Sequence, residues 1–132
     1  NLSNKKLERK NWRRFFLSIH CIAGGMPSEV DTQMDFFDYK AKYLGESQEI
    51  TPARLSKQQE DKVNKVAKQV YEVLKMKGFS RSEYIFKDGE PHLLEVNTVP
   101  GLTRQSILPQ QAACADISLS ELFDNAIEEA LK

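Results

Sequence analysis

Four polar residues stand at short spacing in two otherwise apolar runs: Arg81 and Glu83 in "RSEYIF", Glu95 and Asn97 in "HLLEVN". Side chains alternate across a strand, so Arg81, Glu83 and Ile85 share one face of the first run while Ser82, Tyr84 and Phe86 share the other. Glu95 and Asn97 likewise share a face opposite Leu94 and Val96. Between the runs lies "KDGE", whose Asp88-Gly89 pair suits a tight turn with positive backbone angles. An antiparallel hairpin closed by that turn sets residues 81–83 alongside residues 95–97. Two carboxylates, an amide oxygen and a guanidinium then converge.

The three oxygen-bearing groups are hard ligands, which suit magnesium or manganese and not zinc. Magnesium takes one or two protein carboxylates and leaves its remaining positions to water and phosphate, so a nucleotide-bound ion fits this set. Arg81 beside it has the planar fork that holds a phosphate or a developing oxyanion. The same spacing also fits a hairpin with one wet face, on which Glu83 and Glu95 are solvated and paired with Arg81. Glu95 narrows the choice. It lies between Leu94 and Val96, and an unpaired buried carboxylate costs several kcal/mol, so it is either hydrated or matched by a cation that a ligand brings.

The elements that position these groups are legible to different degrees. Ser56 with Gln59 forms a capping box, and Val63, Val66, Ala67, Val70, Val73 and Leu74 recur at three- and four-residue spacing until Gly78, which predicts an amphipathic helix. Pro100-Gly101 ends the second strand. "RQSILPQQAACADI" reads as a short helix interrupted or started near Pro109, and Ser118 with Glu121 is a second capping box that opens a final helix. Upstream, "FFLSIHCIA" is able to form a strand, "GGMPS" reads as a turn, and residues 35–55 read as a strand end followed by a long loop. A loop of that length in a compact domain is more often functional than idle.

The chain has 132 residues, 40% of them hydrophobic, enough for one domain with a single core. Lysine plus arginine and aspartate plus glutamate each number 19, so the formal net charge is zero and no nucleic-acid or anionic-membrane footprint is expected. No apolar run approaches the ~20 residues of a membrane-spanning helix, and the basic opening lacks the order of a signal peptide. A cytoplasmic protein is expected. Cys21 and Cys114 are far apart, without a CxxC or Cys/His pattern, and read as reduced structural thiols.

The segments "GFSRSEYIFKDGEPHLLEVNTVPGLTRQSILP" and "FFDYKAKYLGESQEITPARL" resemble the C-terminal part of D-alanine:D-alanine ligases, enzymes of the ATP-grasp superfamily. The resemblance covers residues 35–132, the catalytic subdomain of that family, whereas residues 1–34 fit it poorly. It implies an α+β fold with an antiparallel sheet flanked by helices. In that family the carboxylate of one D-alanine takes the γ-phosphoryl group of ATP, and the amine of a second D-alanine attacks the acyl phosphate to give the dipeptide of peptidoglycan. Glu83, Glu95 and Asn97 resemble the ligands of two magnesium (or manganese) ions. The family more often has aspartate where this chain has Glu83, so the carboxylate here sits on a longer stem. Arg81 resembles the arginine that steadies the acyl phosphate, and Gly101 the glycine whose amide approaches the oxyanion. Ser106 resembles the serine that, with the amide of Ile107, holds the second substrate's carboxylate. Phe36 resembles the residue stacked on adenine, Lys42 the one on the γ-phosphate, Leu94 part of the adenine pocket floor, and Tyr43 a residue of the loop that closes over the substrates.

The resemblance also implies partners: ATP, D-alanine, and the N-terminal and central domains of a ligase two to three times this length, bacterial, cytoplasmic and commonly dimeric. Alone, the chain is expected to be inactive. Two alternatives stand beside this. One keeps ATP-grasp chemistry with another acceptor, such as D-lactate or a different amino acid. The other is a folded α+β module without turnover of its own, which a missing thermal shift with magnesium-ATP would favour.

Overall fold

The computed structural model describes residues 14–19, 26–32 and 47–132. Among them are five strands and three helices: β1 (Arg14–Ile19), β2 (Pro27–Thr32), β3 (Ser47–Ile50), α1 (Lys57–Val73), β4 (Ser80–Lys87), β5 (Glu90–Asn97), α2 (Ile107–Cys114) and α3 (Leu119–Leu131). The strands form one antiparallel sheet in the order β3-β2-β1-β4-β5. The expected α+β architecture is present.

The hairpin forms because Asp88 and Gly89 both take positive φ, 52° and 78°, the geometry whose twist matches the paired strands. Lys62 of α1 pins this turn, donating to the Gly89 carbonyl at 3.3 Å and pairing with Glu90. Both capping boxes form: Ser56 accepts from the amide of Gln59, and Ser118 from that of Glu121.

Helix α1 covers one face of the sheet. Val63 and Ala67 pack with Tyr84 of β4, with Leu55, Val66 and Phe86 around them. Tyr84 is fully buried, and burial holds its hydroxyl pKa above the ordinary tyrosine value. Tyr84→Ala removes the largest side chain of this cluster, and a destabilisation of about 3–5 kcal/mol is expected from denaturant unfolding, the range for buried aromatic truncations. On the same face Glu29 is buried against Arg54, whose Nε and Nη2 donate to its two carboxylate oxygens at 3.0 and 3.1 Å. A fork-on-carboxylate pair of this kind compensates the buried charge.

The opposite face receives α2. Val30 of β2 packs on Ile107, and α2 joins α3 through Leu108, Ala112 and Leu122, with Phe79, Leu102, Ile117 and Leu119 around them.

Three expectations are corrected. Residues 35–55 hold strand β3 at Ser47–Ile50, too short to show a period. Pro27 and Ser28 belong to β2 and not to a turn. The apolar stripe of α1 is core only in part: the helix ends at Val73, and Val73 (79% exposed) and Leu74 run past the residues that cover Val63 and Ala67. The short helix expected to start near Pro109 is present as α2, which begins at Ile107. Pro109 is the third helical residue, where no intrahelical donor is lost.

Candidate functional site

The register of β4 and β5 pairs Arg81 with Asn97 and Glu83 with Glu95. Cross-strand partners share a face, so the four polar groups singled out from the sequence stand together at the open end of the hairpin. Beyond Glu83 the register shifts, Tyr84 pairing with Leu93, so that Leu94 is an extra residue on β5. This bulge reconciles two demands. Leu93 falls opposite Tyr84 on the α1 side while Glu95 stays opposite Glu83, an arrangement that strict alternation forbids to residues two apart. Bulges of this kind re-aim side chains beside functional sites.

The two carboxylates differ in surroundings. Glu83 is 4% exposed, and Arg81 Nη2 donates to its Oε1 at 3.4 Å. Glu95 is exposed. Asn97 Oδ1 accepts from the amide of Val99 at 3.0 Å, which fixes the amide plane and leaves its second lone pair for another partner. No group of three His, Cys, Asp or Glu residues suited to a metal occurs among the described residues. Two carboxylates and an oriented amide oxygen are a set that fits magnesium, whose shell is completed by water and phosphate, and fits zinc poorly.

The site face continues across the sheet. Register through Arg14 aligns Ile85 with Val30, and Val30 with Glu49 of β3. Desolvation pushes the Glu49 carboxyl above its ordinary value of 4.5, against the opposing pull of the Arg81 charge and a hydrogen bond with Gln110 of α2. Sequence reasoning missed Glu49 because four strand residues after a long patternless stretch carry no periodic signal.

After Asn97 the chain turns at buried Pro100 and runs to Ser106, the N-cap of α2. A Cβ placed on Gly101 would meet Ser106 Oγ at 2.8 Å. The Ser106 hydroxyl makes no capping bond, and it lies 2.8 Å from Thr103 Oγ1.

The family model described as D-ala D-ala ligase C-terminus matches residues 22–128 of this chain. The chain belongs to that family. The curated D-alanine--D-alanine ligase of Flavobacterium johnsoniae is 62% identical over 104 residues, which are 79% of this chain and 32% of that protein. The chain therefore spans about a third of the length of the curated relatives it matches. Among solved structures, the D-alanine--D-alanine ligase of Bacillus anthracis complexed with ATP is 30% identical with a TM-score of 0.74, covering 90% of this chain and 38% of that one. The VanG D-Ala:D-Ser ligase of Enterococcus faecalis is 29% identical with a TM-score of 0.74, covering 88% and 35%. The fold is thus that of the ATP-grasp ligases.

Within this ligase C-terminal fold, Arg81, Glu83, Glu95 and Asn97 gather on one sheet face, and Gly101 and Ser106 approach each other in the following loop. Leu94 stands apart from the core and is 46% exposed at the bulge. Phe36, Lys42 and Tyr43 lie outside the described residues. Cys114 is a free thiol, its Sγ donating to the Thr51 carbonyl at 3.7 Å. Among the described residues no helix is long and apolar enough to cross a membrane.

Proposed function

We propose that this chain is the C-terminal catalytic part of an ATP-dependent D-alanine:D-alanine ligase that acts in the bacterial cytoplasm and supplies the dipeptide for peptidoglycan. The observation that carries this reading is the hairpin register, which sets Glu83 opposite Glu95 and Arg81 opposite Asn97. The family match and the ATP-bound relative support it.

In the reaction, the first D-alanine carboxylate attacks the γ-phosphorus of ATP, the bond to ADP breaks, and an acyl phosphate results. The second D-alanine's amine then attacks the acyl carbon, phosphate leaves, and the amine gives up a proton. Glu83, Glu95 and Asn97 would hold magnesium, two ions in the intact site, with manganese as an alternative. An ion bound there would supply neutralisation of phosphate charge. Arg81 is anchored on Glu83 and turns its planar guanidinium to the transferring phosphoryl group and the oxyanion that follows. The Gly101 amide approaches that oxyanion. Ser106 and the Ile107 amide take the acceptor's carboxylate at the start of α2, where free N–H groups favour an anion. Phe36 and Leu94 flank adenine, Lys42 meets the γ-phosphate, and Tyr43 belongs to the closing loop. Residues 35–132 carry these groups, while β1 and β2, from residues 1–34, complete the sheet behind them. The N-terminal and central domains of the ligase supply the rest of the ATP clamp and the first D-alanine's site, and the full-length protein is expected to dimerise.

The D-Ala:D-Ser ligase among the structural relatives favours one second reading, in which the acceptor is another small hydroxy or amino acid. A turnover assay with ATP, D-alanine and a panel of acceptors tests both readings. The full-length ligase is expected to release phosphate and form D-alanyl-D-alanine preferentially, and the 132-residue chain alone is expected to form none. Robust dipeptide synthesis by the short chain, or preference for a different acceptor, would overturn the corresponding part.

A further inference from the structure

Three helices of the described residues start at a serine N-cap, and two of those serines behave alike: Ser56 and Ser118 each accept a hydrogen bond from the amide three residues on, Gln59 and Glu121. At α2 that position is Pro109, which has no N–H to donate. The usual partner of the cap hydroxyl is therefore deleted by the sequence, and Ser106 makes no side-chain capping bond although its backbone has the same extended conformation, φ −74° and ψ 153°.

The freed hydroxyl has found a different partner. Ser106 Oγ and Thr103 Oγ1 are 2.8 Å apart, and the backbone ties the same two residues together, the Ser106 amide donating to the Thr103 carbonyl at 2.8 Å. Gly101 bounds the hydroxyl on another side, since a Cβ there would come within 2.8 Å of Ser106 Oγ and 3.4 Å of its Cβ. The loop that carries these three residues is held at buried Pro100, at Leu102 in the α2–α3 core, and at buried Ile107. Thr103 itself is exposed, so its hydroxyl gives the core nothing.

We propose that Thr103 is a positioning residue for the acceptor site: its hydroxyl holds the Ser106 hydroxyl in one rotamer, in the space left open at Gly101, ready for the carboxylate of the second D-alanine. This rests on the reading of Ser106 and Ile107 given above. A serine hydroxyl rotates among three staggered positions, and one fixed in advance loses less freedom when the acceptor binds. Thr103 thereby acts on the binding of the second substrate and not on the phosphoryl transfer.

The test uses the full-length ligase and compares Thr103→Val, which keeps the shape and removes the hydroxyl, Thr103→Ser, which restores it, and Ser106→Ala. Initial rates are measured against ATP and against D-alanine over a range that separates the first- and second-site constants. Thr103→Val is expected to raise the second-site KM about five- to tenfold, the scale of one hydrogen bond, with the KM for ATP unchanged, and Thr103→Ser to return it to within about twofold. Ser106→Ala is expected to raise the same constant. If Ser106→Ala raises it and Thr103→Val does not, the positioning role is overturned while the acceptor reading stands. If Ser106→Ala leaves it unchanged, the acceptor reading falls. Equal rises in every KM, or a Thr103→Ser variant that fails to recover, would mark a general effect on the loop and also overturn the proposal. Should Thr103→Val fold poorly by thermal melting, Thr103→Ala gives the same comparison.

Discussion

Glu95→Gln in the full-length ligase is expected to lower turnover at ordinary magnesium concentrations by at least about 100-fold. The change keeps the shape of the side chain and removes one of the two anionic donors that face each other at the end of the hairpin. Losing even an outer-shell partner of a metal ligand typically weakens metal binding by about 10–100-fold, and losing a charged ligand should exceed that. Because Glu95 is exposed, the fold should hardly notice, with stability within about ±0.5 kcal/mol of the parent. The measurement is turnover against magnesium concentration, with thermal melting alongside. A curve displaced to higher magnesium, with part of the activity recovered there, is the expected signature. Near-normal turnover without displacement would refute the ligand role and leave Glu95 as part of a wet sheet face.

Arg81→Lys is the second large effect, on the order of a 100-fold fall in kcat, the usual consequence of removing one donor aimed at developing charge. Arginine presents a planar fork, one arm of which reaches Glu83 at 3.4 Å, and a fork so placed can meet a phosphoryl oxygen in a fixed plane. A lysine ammonium keeps the charge beside Glu83 but cannot serve both directions with fixed geometry. Stability should therefore fall much less than in Arg81→Ala, which strips a cation from a carboxylate only 4% exposed and is expected to cost up to about 3–5 kcal/mol. Comparing the two variants by kcat and by unfolding separates the two duties of Arg81. Full activity in Arg81→Lys would show that charge alone suffices and would sink the role assigned to the fork.

Much of the site was legible because it sits on a hairpin. Asp88-Gly89 specifies the turn, the turn sets the pairing, and pairing with two-residue alternation places 81–83 beside 95–97. The Leu94 bulge was not legible. It adds no residue type that marks it, and it shows only in the pairing of Leu93 with Tyr84 and of Glu95 with Glu83. Strands β2 and β3 were missed for a related reason: "PSEVDT" and "SQEI" are short and polar, and their pairing along the sheet is a long-range matter that no local pattern reports. The resemblance to ligases came from motif order, and the family match bears it out.

By itself the sequence determined what local rules govern: both capping boxes, the start of α1, the hairpin turn, and the placing of Arg81, Glu83, Glu95 and Asn97 on one strand pair. These follow from hydrogen bonds and backbone angles confined to a few neighbouring residues. Only the tertiary structure decided which apolar residues became core, since Val63 is buried and Val73 is not although both lie on one stripe, and that depends on how far the sheet extends beneath the helix. It also decided that Glu83 is buried and Glu95 exposed, that Glu49 comes to share their face, and that the Ser106 hydroxyl turns to Thr103. Each of these depends on distance between segments remote in sequence or on side-chain packing around a loop, which spacing along the chain does not encode.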